Sequence, residues 1–504
     1  MIKKEIKRIR IIVTILILTI GNNAFAQQDH KLVQQIRQAF KDKNSANLKA
    51  ALAPSFSIAG NTQQGAVRYL DHILSSYPAE NVRFISMQKQ DSGHKVAIEI
   101  SKTDKSTVQT AFYTDSADRM LYLDLFDQLY GMNRYQTSRL RAKIPFENHD
   151  GTIVLSVKIN DFKRPLRLLF DTGADGMAVS QQLADEIGLK VTRQNNASVV
   201  GGNMQIQVSD NNTITLDTLK LQGQGIAIFP EMHRETDGII GNSLVKRFIT
   251  KVDYDKCELL LYDFGNYQYE QQGHTIPVEM PAGLLIIPGN LEIRPGKSYT
   301  GNFVFDTGAS YSLICFRPFV RTNRLLVSGF KPEYQGTTAS MGMVSPTFTG
   351  RSHNFSFSHL PAVPNLPVTL MAGGANNENW KPEFDGSIGV RLISRYNFTI
   401  NLQNREIYLE PNHLYPYPQD FSIGSYLFGY DSEGKLRLLS LVGAEDEKVK
   451  LATGAAISSI NGIPTHTFLK DKTALESILN LEKGTAITVE SLSDTVKQSY
   501  TISR

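Results

Sequence analysis

Two stretches of the chain carry nearly the same phrase. Residues 168–174 read Leu-Leu-Phe-Asp-Thr-Gly-Ala, and residues 303–309 read Phe-Val-Phe-Asp-Thr-Gly-Ala. Each is an apolar run that delivers an aspartate onto a tight Thr-Gly turn. A lone Asp-Thr-Gly is common at strand ends and says little. Asp171 and Asp306, 135 residues apart and set in similar flanks, point to an internal duplication.

The flanks repeat in order. After Asp171 comes Asp237-Gly238-Ile239-Ile240-Gly241-Asn242, then an expected short helix near Leu244 and Phe248 and strands over 251–254 and 259–262. After Asp306 comes Asp385-Gly386-Ser387-Ile388-Gly389, an expected short helix with Leu392 and Tyr396, and strands over 398–402 and 406–409. Aspartate to Asp-Gly spans 66 residues in the first copy and 79 in the second. Short apolar runs bounded by turn signals are a β signature. The centre is therefore expected to be all-β and two-lobed, with lobes at 147–265 and 275–411.

The rest of the chain frames this duplication. Residues 1–26 have the pattern of a secretory signal peptide: basic Lys3, Lys4, Lys7, Arg8 and Arg10, an apolar run over 11–20, then Ala24-Phe25-Ala26. That run is short for a bilayer span, so the expectation is a periplasmic or secreted protein with no stable membrane anchor; an uncleaved anchor is the other reading. These five basic residues and Glu5 account for the whole formal charge of +4. The sequence pI of 8.7 then gives no reason to expect nucleic acid or an anionic membrane as partner. The two cysteines, Cys257 and Cys315, sit in apolar contexts that suit buried free thiols. The scattered histidines show no metal-ligand spacing, so no metal or cofactor is expected.

Residues 28–140 read as a small α+β domain. Leu32, Ile36 and Phe40 share one helical face, and Ala66, Tyr69, Leu70, Ile73 and Leu74 another. Alternating strands follow at Val96/Ile98/Ile100, Val108/Thr110/Phe112 and Leu121/Leu123/Leu125. Residues 131–146 read as a connector and the Pro-rich 411–420 as a linker. The Gly-rich stretch over 371–375 reads as a loop rather than a phosphate cradle.

On the repeated Asp-Thr-Gly-Ala and the two apolar-apolar-Gly stretches, the lobes resemble pepsin/retropepsin-type aspartic proteases. The resemblance implies that Asp171 and Asp306 meet at the lobe junction and activate one water between them. It gives Thr172 and Thr307 the cross-lobe hydroxyl bonds that support the loops, and Gly173 and Gly308 the close approach of backbone N–H groups to the carboxylates. Pepsins more often carry Ser or Thr where Ala174 and Ala309 stand, and retroviral-type enzymes carry Ala. Loss of that hydroxyl is expected to leave the pair less acidic, with a milder pH optimum than pepsin's. A flap is expected at 199–204, with Gly201 and Gly202 at its tip, and an analogue at 336–343.

Residues 421–504 resemble a PDZ domain of the bacterial exported-protease type. The resemblance places a peptide-carboxylate loop at Leu427, Phe428 and Gly429. The usual Gly-Asp is Gly454-Ala455, and the small-residue helix is replaced by Gly443-Ala444-Glu445-Asp446-Glu447; a structural β-rich cap is the other reading. The fold class expected is multidomain: a central all-β two-lobed aspartic protease fold between an N-terminal α+β domain (28–140) and a C-terminal PDZ-like α+β domain (421–504). The function expected is that of an exported, monomeric aspartic endopeptidase acting on peptide or unfolded protein. The alternative is a catalytically inactive pseudo-protease that binds peptides. A surface adhesin or carbohydrate binder would rest on the β-rich centre alone.

Overall fold

The computed structural model describes residues 30–504 apart from 233–234, 271, 341–342, 374–379, 443–450 and 494–495. The signal-like stretch and residues 443–447 lie outside the described residues, as do parts of 336–343 and 371–375. The described chain is mostly strand. It divides into two compact units, one ending at Gly131 and the other made of Met132–Arg504 with the short stretch Ala59–Asn61.

In the first unit, apolar residues three or four apart make two helices. Lys31–Asp42 buries Leu32, Ile36 and Phe40, and Gln63–Ser76 buries Ala66, Leu70, Ile73 and Leu74. An antiparallel meander follows: Ala79–Gln90, Gly93–Lys102, Thr107–Thr114 and Met120–Leu123. Alternation marks the last three. It does not mark Ala79–Gln90, an edge strand that buries Val82 alone and so needs no apolar face. Leu125 does not extend the last strand but lies in the helix Asp124–Leu129.

The second unit holds the duplication as matched sheets. In lobe 1, Leu166–Phe170 runs antiparallel to Thr152–Ile159 and parallel to Gly238–Ile240. Gly238–Ile240 lies antiparallel to Met177–Ser180, which is parallel to Leu219–Phe229. Lobe 2 repeats every step. Lys297–Phe305 is antiparallel to Ile286–Arg294 and parallel to Gly386–Ile388. Gly386–Ile388 is antiparallel to Leu313–Cys315, itself parallel to Pro367–Met371. The strand leading to each aspartate ends in three consecutive buried residues, 168–170 and 303–305. Both faces of a central strand are covered, which is why the sequence reads as an apolar run rather than an alternation. The short helix expected near Leu244 is a turn, whereas its lobe 2 counterpart is the helix Val390–Ile393.

A six-stranded sheet joins the lobes. Its order is His274–Pro277, Glu406–Pro411, Tyr396–Asn401, Ile249–Asp253, Glu258–Tyr262 and Leu140–Pro145. The two lobes meet in it directly, Thr250 opposite Ile400 and Val252 opposite Phe398. The connector expected at 131–146 therefore contains an edge strand, Leu140–Pro145, and the Pro before Phe146 suits such an edge.

Residues 421–503 form a three-stranded sheet, a four-stranded sheet and the helices Thr467–Lys470 and Lys472–Leu479 over one apolar cluster that includes Phe421, Phe428, Leu438, Ile460, Phe468 and Ile487. The stretch before them is not a free linker. Arg391, on the lobe 2 helix, makes a bidentate ion pair with Asp420 (2.7 and 2.6 Å) and donates to the Tyr430 carbonyl at 3.0 Å. Arg395 donates to the carbonyls of Leu414, Tyr417 and Pro418. Pro416 and Pro418 have no N–H to donate, and carbonyls of this stretch accept from the Arg395 guanidinium. Both side chains of the Arg391–Asp420 pair are under one-tenth exposed (9% and 7%). Arg391→Ala would leave a buried carboxylate without its partner, and urea denaturation should show a loss of about 3–5 kcal/mol.

Candidate active site

Each aspartate is fixed first by backbone. Asp171 N–H donates to Ile240 O and Asp306 N–H to Ile388 O, both at 3.0 Å. The aspartates that open the Asp-Gly stretches fasten the same strands four residues before each Asp-Thr-Gly. Asp237 Oδ2 accepts from Arg167 N–H, and Asp385 Oδ2 from Asn302 N–H, both at 2.8 Å. These two carboxylates give the repeated Asp-Gly a physical reason that periodicity does not reveal.

The loops are then locked to each other. Thr172 N–H donates to Thr307 Oγ1, and Thr307 N–H to Thr172 Oγ1, both at 3.0 Å. Each hydroxyl in turn donates into the opposite lobe, Thr172 to Phe305 O and Thr307 to Phe170 O (2.7 Å). Both threonines are fully buried. In lobe 1 Asn242 adds a clamp, its side-chain amide donating to Thr172 O (2.9 Å) and Gly283 O (2.8 Å).

This lock brings Asp171 and Asp306 together. Gly173 N–H donates to Asp171 Oδ1, and Gly308 N–H to Asp306 Oδ1, both at 2.9 Å. A Cβ on Gly173 would fall under 3.0 Å from the Asp306 carboxyl group, and one on Gly308 under 3.0 Å from that of Asp171. Each glycine thus faces the carboxylate of the other lobe, and no larger residue fits there. Asp171 is buried, at 5% exposure, and Asp306 is half-buried.

The two halves differ beside the carboxylates. Ser387, 1% exposed, donates its hydroxyl to Asp306 Oδ2 at 2.9 Å. Ile239 holds the matching position in lobe 1, by the shared register Leu169–Ile239 and Val304–Ser387. The loop from Asp306 to the strand at Leu313 is also one residue longer than the loop from Asp171 to Met177. It carries Tyr311, whose buried phenol lies close enough to Ser387 and both aspartates to be influenced by them. Burial, followed by the negative charge of Asp306, pushes the Tyr311 phenol well above its ordinary value, so it stays neutral. Ser387 stands inside a repeated apolar motif; a polar residue in a buried three-residue strand was the signal for it.

Each lobe also carries a long hairpin. Arg193–Val199 pairs with Gly202–Leu216, and Gly201 takes the turn at φ +97°. Pro332–Ser340 pairs with Met343–Arg351 in lobe 2. The tips meet: a Cβ on Gly202 would lie 3.1 Å from Met343 Cε. Val200, at the lobe 1 tip, packs on the lobe 2 cluster of Ile314, Phe316, Met371 and Trp380, beside Tyr311.

Leu427, Phe428 and Gly429 lie elsewhere, within the strand Tyr426–Tyr430. Leu427 and Phe428 have ladder partners on both sides, Phe428 is fully buried, and Gly429 abuts Arg391 and Asp420. The carboxylate-binding loop expected there is a strand with its backbone groups engaged. Cys257 and Cys315 are free thiols, the first half-buried and the second buried. Among the described residues no group of three or more His, Cys, Asp or Glu could hold a metal ion, and no helix is long and apolar enough to cross a membrane.

Residues 155–244 match a family model described as aspartyl protease. The match begins in the strand before the Asp171 strand and ends just beyond Asn242, which supports an aspartic protease family for this chain through its first lobe. A search of the curated proteins found no match.

Thr172→Ala would strip a buried carbonyl and a buried N–H of their partners, as would Thr307→Ala. Each should cost about 1–3 kcal/mol in denaturant unfolding. The double variant should lose less than the sum, because the four bonds form one network. Thr→Ser, which keeps the hydroxyl, should recover most of the loss.

Proposed function

We propose that this chain is an aspartic endopeptidase, acting on extended or unfolded polypeptide with a water activated between Asp171 and Asp306. The observation that carries the reading is the reciprocal Thr172–Thr307 lock, which turns each loop glycine toward the opposite carboxylate. Two carboxylates this close cannot both ionise, a situation for which aspartic proteases are the usual example. One stays charged and takes a proton from the water. The other is protonated and donates to the scissile carbonyl oxygen. The water oxygen bonds to the carbonyl carbon, giving a tetrahedral diol. The pair then protonates the amide nitrogen, the C–N bond breaks, and the diol returns a proton as the acid product leaves. The two hairpins whose tips meet supply a cover that excludes bulk water and holds the peptide extended.

In this reading residues 1–26 direct export, and the mature chain works as a monomer in the periplasm or outside the cell. The strand that contains Leu427, Phe428 and Gly429 is given no peptide-binding role.

The test is digestion of a peptide library by the mature protein and by Asp171→Asn and Asp306→Asn variants, across about pH 3–8. Cleavage by the native protein should fall by about 10²–10⁴-fold or more in each variant. Equal cleavage by all three would remove the mechanism. Peptide binding without cleavage at any pH would leave the inactive pseudo-protease.

A further inference from the structure

In both lobes the turn after the apolar-apolar-Gly stretch donates N–H groups to the loop that follows the aspartate. Gly241 donates to Gly176 O (3.1 Å) and Asn242 to Ala174 O (2.9 Å); Gly389 donates to Ser312 O (3.0 Å) and Val390 to Ala309 O (2.8 Å). Lobe 1 adds the Asn242 side chain, which clamps Thr172 O and Gly283 O. By the shared register Val390 holds the Asn242 position in lobe 2, and a valine has no polar group to clamp with. There the fastening comes one residue later. Arg391 N–H donates to Tyr311 O at 3.2 Å, and its guanidinium binds both carboxyl oxygens of Asp420.

Asp420 holds a second arginine. Its carbonyl oxygen accepts from Arg351 Nη2 at 3.1 Å. Arg351 ends the lobe 2 hairpin strand Met343–Arg351 and donates at 2.9 Å to Glu333, near the start of the partner strand Pro332–Ser340. The other oxygen of Glu333 accepts the Ser422 hydroxyl at 2.6 Å. Ser422, 4% exposed, lies in Phe421–Ile423, the first strand of the C-terminal domain. Residues 420 and 422 therefore hold two elements at once: the helix Val390–Ile393 that supports the Asp306 loop, and the foot of the lobe 2 hairpin. Gly429 makes room for the junction, since a Cβ there would lie 2.4 Å from Arg391 Nη2 and 2.3 Å from Asp420 Oδ1.

We infer that Asp420 is a positioning residue for peptide cleavage, through which the domain over 421–503 holds the Asp306 loop and the lobe 2 hairpin in one fixed relation. The inference rests on the dyad reading above and gives the C-terminal domain its part in it. A bidentate Arg–carboxylate pair has a defined geometry. A shift of Asp420 moves Arg391, and with it the N–H groups that hold Ala309 and Tyr311. The same shift carries Arg351 and Glu333, and so the hairpin.

Two measurements on the mature protein test this. The first is amide hydrogen exchange of native protein, Asp420→Asn and Ser422→Ala. Asp420→Asn keeps the shape of the side chain and removes its charge; Ser422→Ala removes one hydroxyl. Exchange should quicken by about 10-fold or more over 309–312, 332–340 and 343–351 in Asp420→Asn. In Ser422→Ala it should quicken by roughly 5–10-fold over the two hairpin strands alone. The lobe 1 hairpin over 193–216 should be unchanged in both. Quickening confined to 411–430 overturns the inference and leaves Asp420 a tether. Loss of protection in lobe 1 would mark Asp420→Asn as unfolded, and Ser422→Ala then decides. The second is kcat and KM on a peptide substrate, with Asp171→Asn as control. Asp420→Asn should lower kcat by about 10–100-fold. Ser422→Ala should act chiefly on KM, raising it by about 3–10-fold. Cleavage by the Asp171→Asn control overturns the dyad itself. An inactive control with native kcat and KM in both other variants overturns the Asp420 role alone. The exchange measurement needs no turnover, so it decides the inference even if the protein cleaves nothing.

Discussion

The site depends on an exchange of hydrogen bonds between two buried threonines. Thr172 and Thr307 each give a hydroxyl proton to the other lobe's backbone and each receive an N–H from the other loop. Net stabilisation from such bonds is modest, about 0.5–1.5 kcal/mol apiece. Their larger effect is positional. A carboxylate displaced by about 1 Å from its working geometry costs on the order of 10²-fold in rate. The lock leaves little freedom for such a displacement, because a slip breaks four buried bonds together. The six-stranded sheet joins the same two lobes through Ile249–Asp253 and Tyr396–Asn401.

Duplication and chemistry pull in opposite directions. Copying one lobe yields two matched strands, two Asp-Thr-Gly turns and two capping aspartates, Asp237 and Asp385. Acid–base work requires environments that push the two carboxylates apart in acidity. The two lobes differ beside the aspartates at few points: serine for isoleucine in a three-residue strand, and one extra loop residue in the stretch that carries Tyr311. The strands that lead to the two aspartates keep the shared register.

Much of this was legible before any coordinates. The apolar run into Asp171 and Asp306 is visible because a strand covered on both faces must be apolar throughout. The helices of the first unit follow from 3.6-residue spacing, and the hairpin turn at Gly201 from its glycines. What was hidden depends on partners distant in sequence. Ala79–Gln90 carries no alternation because its outer faces are wet. Leu140–Pro145 looks like a connector until Glu258–Tyr262 pairs with it. The stretch over 411–420 looks like a loose linker because its anchors, Arg391 and Arg395, lie in another element. Leu427 to Gly429 resembled a loop by family pattern, but ladders on both flanks claim it. Ser387 was in plain view, yet its meaning came only from the oxygen it reaches.

The account stands on two carboxyl groups closing on one tetrahedral centre. The most direct measurement is a crystal structure with a peptide analogue in which the scissile carbonyl is replaced by a hydroxyl-bearing tetrahedral carbon. The account expects that hydroxyl within about 2.6–3.2 Å of carboxyl oxygens from both Asp171 and Asp306, beneath the paired hairpin tips. A hydroxyl bound elsewhere, or touching one aspartate while the other turns away, would contradict it.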